Sequence, residues 1–468
     1  MFELRTWANE GGGDVGGGEA APVTGGEFAR LMAPFAPFER TPRLAVAVSG
    51  GPDSLALTLL LADWVAGQGG ELLAFTVDHG LRPESAGEAR WVGELLTARG
   101  VDHRTLHAGL DKTSGGGRQD RARAARYACL EAACVEAGVL HLALAHHRGD
   151  QAETVLLRIR GRTAVPGMAG MAGQRTTPAL RLLRPLLALP KARLVATLWS
   201  RGVSWVEDPS NQNRIYLRSR MRAVGPELAR SGLDEAHLAE IAGLIGVARN
   251  AVDILTASLL ADALEVHPFG FARLRLNALV AADKEVGRTA LAQVLTTVGG
   301  RDRPPRRERL VRLYSELSGE PGKTPRYGST LGGCRLLLRG ENLFVMREVG
   351  RTPRDKLVPG ERKVYDGRYR LQVSADAPNG LEVGPLGRAG WAAVTAAKPG
   401  LRETSLPSPV RFALPAVFDA DGAREVPALG WLRAGLQAPA VEECAFAPCV
   451  AATGSGFAVA HAEKRIIY

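Results

Sequence analysis

The sequence predicts an α/β protein: an N-terminal doubly wound parallel sheet, then a helical domain, then a small β-containing C-terminal part. Three observations carry this. From Arg43 to about Trp205, short apolar runs alternate with amphipathic stretches of helical length. From 227 to about 318 the chain is Ala- and Leu-rich, with apolar residues at helical spacing. Beyond that lie short β-like pieces joined by Gly- and Pro-rich connections. Strands that alternate with helices pack as a parallel sheet with right-handed crossovers.

Each element follows in order. The opening "MFELRTWANEGGGDVGGGEAAPVTGGE" lacks the basic-then-apolar pattern of a secretory signal and reads as a flexible Gly-rich tail over 1–25. A parallel-sheet domain is expected over 26–226. Within it "RLAVAVS", "ELLAFTVDHG", "DHRTLHAG" and "LHLALAHH" are predicted buried strands. "DSLALTLLLADWVAG", "SAGEARWVGELLTARG" and "DRARAARYACLEAACVEAG" are predicted helices, closed by Gly67, Gly100 and Gly138. A helical domain is expected over 227–330. A β-containing region is expected over 331–468, from "CRLLLRGENLFVMREV", "RKVYDGRYRLQV" and "RFALPAVFDADG". Solenoid-length repeats are absent from the sequence.

Composition narrows the class. A chain of 468 residues needs two or three cores. Its net charge of +10 favours a polyanionic partner. No apolar run approaches the roughly 20 residues of a membrane span, so no membrane partner is expected. Five cysteines, an odd number, in a long chain without a secretory signal point to reduced thiols in a cytoplasm. Cys129 and Cys134 lie five apart and do not share a helix face, and "CAFAPC" at Cys444–Cys449 is too isolated for four zinc ligands.

In a doubly wound sheet the ligand sits at the carboxyl ends of the strands. "LAVAVSGGPDSLAL" places Ser49, Gly50, Gly51, Pro52, Asp53 and Ser54 there. The glycines let backbone N–H groups approach an anion, the serines add hydroxyls, and the next helix aims its positive end at the site. An acid in an anion site calls for a bridging Mg²⁺, so Asp53 is the candidate metal ligand. The bland alternative is a tight turn with Asp53 or Ser54 as helix N-cap. This is not a Walker A loop. "SGEPGKTP" at Ser318–Pro325 ends like one, but Leu317 stands where the first glycine belongs. His146 and His147, as neighbours on a strand end, should point to opposite faces. His146 is assigned to the nucleotide and the other to packing. Asp78 and His79 read as turn formers ranked below Asp53.

"SGGPDS" resembles the loop of the PP-loop ATP pyrophosphatase superfamily, the adenine nucleotide alpha hydrolase-like fold. "TVDHGLRPESAGEARWV", "RQDRARAARY", "LAHHRGDQAETVLLR", "GMAGM", "LLRPLL" and "WVEDPSNQNRIYLRSRMR" resemble, in order, the blocks of the tRNA(Ile)-lysidine synthetase family over roughly residues 42 to 228. The resemblance implies a cytoplasmic, ATP- and Mg²⁺-dependent ligase. It would adenylate the 2-oxo group of the wobble cytidine in an isoleucine tRNA with a CAU anticodon. The amine of free L-lysine would then displace AMP, forming lysidine. It implies Asp53 as the loop acid, Asp150 as the acid handling lysine, and Arg123 and Arg126 as catalytic cations. Arg218, Arg220 and Arg222 become tRNA contacts, and a homodimer is suggested.

Three departures stand out. Gly149 replaces the Asp or Asn usual before the acid matched to Asp150. "RGRTAVPGM" at 160–168 is a residue longer than the familiar version and lacks its glycines. Ser219 replaces an Asn. The segment Arg301–Arg312, with six arginines including Arg306 and Arg307, is a further candidate tRNA grip, against a plain solvated helix start. Two other classes stay open: a PP-loop tRNA thiolase, and a nucleotide- and tRNA-binding protein that has lost catalysis.

Overall fold

The structure is a computed structural model. It describes residues 4–5, 21–78, 80, 85–108, 118–161, 165–207, 225, 227–319, 328–404, 406–454 and 456–459. The chain divides into two compact units, Met1–Asn250 with Ser455–Tyr468, and Ala251–Gly454.

The first unit contains, in chain order, β1 (Leu4–Arg5), α1 (Gly25–Met32), β2 (Arg43–Ala47), α2 (Pro52–Ala66), β3 (Glu71–Asp78), α3 (Ser85–Thr97) and β4 (Asp102–His107). There follow α4 (Arg118–Glu136), β5 (His141–Ala143), α5 (Arg148–Arg160), β6 (Gln174–Thr176), β7 (Arg181–Leu183), α6 (Lys191–Ser200) and β8 (Trp205–Val206). The main sheet runs β4-β3-β2-β5-β7-β6. All its pairs are parallel except β6–β7. Leu44, Ala45 and Val46 are buried because helices cover both faces of the sheet. One face packs Leu44 and Val46 against Leu55, Leu57, Leu194 and Leu198. The other packs Ala45, Phe75 and Leu142 against Leu130 and Cys134 of α4. The chain leaves β2 toward β3 and β4, then returns to β5 on the other side. The end of β2 is thus the switch point where a doubly wound sheet opens a ligand crevice.

The predicted parallel sheet is present, with corrections. "DHRTLHAG" was expected as a buried strand, yet β4 is the sheet edge and its side chains are exposed or half-buried. His103 there donates to or accepts from the Thr76 hydroxyl at 2.8 Å. Gly67 does not take the left-handed conformation (φ −63°); Gly69 does, at +68°. The tail does not reach residue 25: Val23 is buried, its N–H donates to Thr197 Oγ1 at 2.9 Å, and Thr24 caps α1.

Residues Glu235–Ala263 form one helix, α7, and the division into units falls within it. The two compact units thus divide at 250/251, past the expected end of the parallel-sheet domain at 226. By length and composition α7 could cross a membrane, a signal the sequence reading did not register. Arg249 lies mid-helix, with its guanidinium 4.6 Å from the Phe457 ring centroid and a hydrogen bond to Pro166 O at 3.3 Å, so the apolar run is broken by a cation. The last described residues also return to this unit, where Ala458 O accepts from Gly173 N at 2.8 Å.

The second unit opens with β9 (Leu264–His267) and β10 (Phe271–Arg275), then α8 (Leu276–Ala281), α9 (Lys284–Val298) and α10 (Arg307–Leu317). β11 (Thr330–Leu331), β12 (Cys334–Arg339) and β13 (Asn342–Arg347) complete an antiparallel sheet, β11-β12-β13-β10-β9. The region expected to be helical through 330 thus contains two strands, and one sheet crosses the expected 330/331 boundary. "LEVHPFGFARLR" alternates every second residue about a turn at Gly270 (φ +74°). Ala- and Leu-rich helices on both sides hid that period. Leu291, Leu295 and Val298 of α9 pack on Leu336 and Val345 of the sheet. Further antiparallel sheets follow, including strands at Arg362–Tyr365, Tyr369–Val373 and Pro415–Asp419.

Candidate functional site

The loop after β2 is shaped by its glycines. Gly50 has φ +80°, and a Cβ there would come within 3.0 Å of Val92 Cγ2. Its carbonyl accepts from Val206 N at 2.9 Å. Gly51 is the N-cap residue of α2 and Pro52 is its first residue. Neither Asp53 nor Ser54 caps the helix. Ser54 is turned inward: its hydroxyl donates to Gly51 O at 3.0 Å and accepts from Ser49 N at 3.1 Å. The Ser49 and Ser54 hydroxyls lie 3.3 Å apart. Ser54 therefore holds the loop closed. Gly51, Pro52 and Asp53 present the helix start, where unpaired N–H groups and the helix dipole attract an anion.

Asp53 stands in the first turn of α2, with its Oδ2 3.7 Å from His147 Nε2 and 3.9 Å from Lys191 Nζ. His147 is the pivot of the site. β5 ends at Ala143, so neither histidine lies on a strand, and His147 is the N-cap of α5. Its Nδ1 accepts from Gly149 N at 3.1 Å, while Asp150 Oδ2 accepts from His147 N at 3.1 Å. This reciprocal capping box fixes the ring and the carboxylate together. With Nδ1 accepting, the neutral ring carries its proton on Nε2. That nitrogen lies 3.7 Å from Asp150 Oδ2 as well as from Asp53 Oδ2. Two carboxylates from different helices thus converge on one imidazole.

His146, partly buried, is a different case. Burial, reinforced by Arg184, pushes its pKa down to about 3; Arg123 and Arg126 act in the same direction and Asp150 opposes. It is neutral at physiological pH and can serve as a hydrogen-bonding group but not as a cation. The chain expects no His146 titration between pH 5 and 8 by NMR. Its contribution to stability is present above about 6.5, its unfolded value, and is lost as pH falls from there toward 3, because only the unfolded state then binds the proton.

Arg123 and Arg126 lie on α4. Arg123 stacks on Tyr127, 5.2 Å from the ring centroid, and its Nη2 is 3.4 Å from the Tyr127 hydroxyl. Burial lowers the Arg126 pKa. Arg184, from "LLRPLL", is buried and also engages Tyr127, and its Nη1 donates to Ala172 O at 2.8 Å. These cations surround His146 electrostatically, as a clamp on developing negative charge would. Sequence reasoning missed Arg184, Lys191 and His147 as site residues. Arg184 lay inside a quoted block. Lys191 follows a helix-starting proline, and His147 sits three residues before an acid, the spacing of a capping box.

Asp78 builds a turn: its Oδ1 accepts from Gly80 N at 2.8 Å and Ser85 Oγ at 2.6 Å. His79, Arg218, Arg220, Arg222 and most of "EDPSN" lie outside the described residues, as do residues 162–164 and 320–327. In the altered 160–168 loop, Val165–Ala169 forms a short 3-10 turn, and Arg158 donates to Gly167 O and, at 2.7 Å, to Gly170 O. Arg306 and Arg307 are exposed at the start of α10 in the second unit, where Arg307 makes two 3.2 Å bonds to Glu285.

A parallel sheet with a Gly-rich loop at its switch point defines a PP-loop, ATP-binding protein, and a family model described as a PP-loop domain matches residues 25–228. The tRNA(Ile)-lysidine synthase of Rhodopseudomonas palustris is 37% identical over 71% of this chain and 97% of that one. The chain belongs to the tRNA(Ile)-lysidine synthase family. The Bradyrhizobium sp. relative of the same name is 45% identical over 50% of this chain and 65% of its own. Among solved structures, the U34-tRNA thiolase NcsA from Methanococcus maripaludis is similar with a TM-score of 0.39 and 16% identity, over 47% of this chain and 78% of that one.

Proposed function

We propose that this chain uses ATP to join free L-lysine to carbon 2 of the wobble cytidine in a CAU-anticodon isoleucine tRNA, forming lysidine through an adenylated tRNA. The observation that carries this reading is the convergence of Asp53 and Asp150 on His147 Nε2 at the end of β2 and β5. One acid belongs to the phosphate loop and the other does not. Two chemical steps need two such acids.

Transfer of AMP makes a poor leaving oxygen into a good one. The first turn of α2 holds the phosphates through N–H groups. Mg²⁺ bound through nucleotide phosphates needs only one or two protein carboxylates, and Asp53 fits that demand; among the described residues no group of three His, Cys, Asp or Glu side chains forms a full protein cage. Lys191 and the Arg123, Arg126 and Arg184 cluster balance charge moving onto diphosphate. In the second step lysine attacks only as a neutral amine. Asp150, aimed by the His147 N–H, orients the ammonium and accepts its proton. A thiolase reading lacks the close cysteine pair such chemistry uses: Cys129 and Cys134 lie five apart, and Cys134 is buried.

The test is turnover. Protein, ATP, labelled lysine and a CAU-anticodon isoleucine tRNA transcript should give labelled tRNA, AMP and diphosphate in equal amounts. Intact tRNA binding without lysine transfer would establish the degenerate binder instead. A homodimer and a cytoplasmic location belong to the same proposal. So does tRNA contact by the basic start of α10. Replacing Arg306 and Arg307 together by Ala should weaken tRNA binding and reduce the salt slope of log K by about 1 to 2. An unchanged slope would remove α10 from the tRNA interface.

A further inference from the structure

Gly149, in the first turn of α5, leaves a gap that a distant acid fills. A Cβ on Gly149 would lie 3.2 Å from Glu235 Oε1, 2.9 Å from His147 Cε1 and 3.2 Å from His147 Nδ1. Glu235 opens α7, and its carboxylate reaches across to the bare α-carbon beside the pivot histidine. Any side chain at 149 would displace either the ring or the carboxylate. Glu235 is exposed, so it can meet a solute. It is not needed to start its own helix: Asp234 takes that part, accepting from His237 N at 2.9 Å. The positive end of α5 holds the acid there without neutralising it.

We infer that Glu235 is a specificity-determining residue that binds the second ammonium group of the incoming lysine. This rests on the lysidine reading above. Free lysine carries two ammonium groups and one carboxylate. Asp150 handles the one that attacks, which leaves a second cation in the same small molecule. Among the described residues, the start of α7 lies against Gly149, next to Asp150, and supplies an acid of the required sign; a charge-assisted bond to it is strong enough to select for it. Gly149 is then part of the device: it is the residue whose missing side chain lets the acid of α7 approach.

The test is Glu235→Gln, which keeps shape and removes charge. The variant should raise KM for lysine roughly 10- to 100-fold. Its kcat and its adenylation of tRNA without lysine should stay near those of the unaltered protein. Inhibition by 6-aminohexanoate, which lacks the α-ammonium, should not change. Gly149→Asp added to Glu235→Gln should recover part of the lost lysine affinity, while Gly149→Asp alone should crowd Glu235 and His147 and weaken it. An unchanged KM for lysine overturns the inference. So does an equal loss of adenylation and kcat, which marks a structural role. Failure of the unaltered protein to transfer lysine would instead sink the lysidine reading, and is seen before any substitution is made.

Discussion

Asp53→Asn should abolish AMP transfer to tRNA, lowering the rate of diphosphate release by about two to three orders of magnitude. The size follows from position. Asp53 is the one carboxylate in the first turn of α2, whose unpaired N–H groups suit an anion. Asn keeps the side-chain shape and the neighbours His147 and Lys191. It removes the charge that would hold a Mg²⁺ ion at the phosphates. tRNA binding should be unaffected, since other groups shape the loop: Gly51 caps the helix, and Ser49 and Ser54 close the turn. The measurement is diphosphate release in the presence of tRNA and the absence of lysine, at several Mg²⁺ concentrations. Near-normal release at all of them would exclude Asp53 from the chemistry.

Asp150→Ala should separate the two steps. Adenylated tRNA should form and accumulate, while lysine incorporation falls by about two to four orders of magnitude. Asp150 also closes the capping box with His147, a bond whose loss costs about 1 kcal/mol of helix stability. Asp150→Asn controls for this, because the amide oxygen can still accept from His147 N. If the carboxylate handles the amine, both variants block lysine transfer, and only Ala lowers the melting temperature. Equal loss of adenylation in both would assign Asp150 to the nucleotide or its metal instead.

The alternation of apolar and amphipathic runs was enough for the parallel sheet, because burial on both faces writes itself into local composition. "SGGPDS" was enough for a tight turn between strand and helix, because glycine readily adopts the φ of +80° found at Gly50. The strands β9 and β10 were not legible: nine residues are short beside helices of Ala and Leu, and what fixes them is the pairing of β10 with β13, some seventy residues on, with β9 paired to β10. The reading of His146 and His147 failed for a related reason. Strand geometry was applied where β5 had already ended, and the capping box put His147, not a strand face, between the two acids.

Sequence alone therefore determined the local pieces: an open helix start after β2, an acid within it, and a second acid downstream. Tertiary structure decided which groups meet. Asp53 and His147 are far apart in the chain and 3.7 Å apart in space, and Glu235 reaches the α5 turn only because residue 149 has no side chain. Periodicity and turn chemistry are local properties that a few residues carry, whereas the approach of two helix starts is set by the packing of the whole unit.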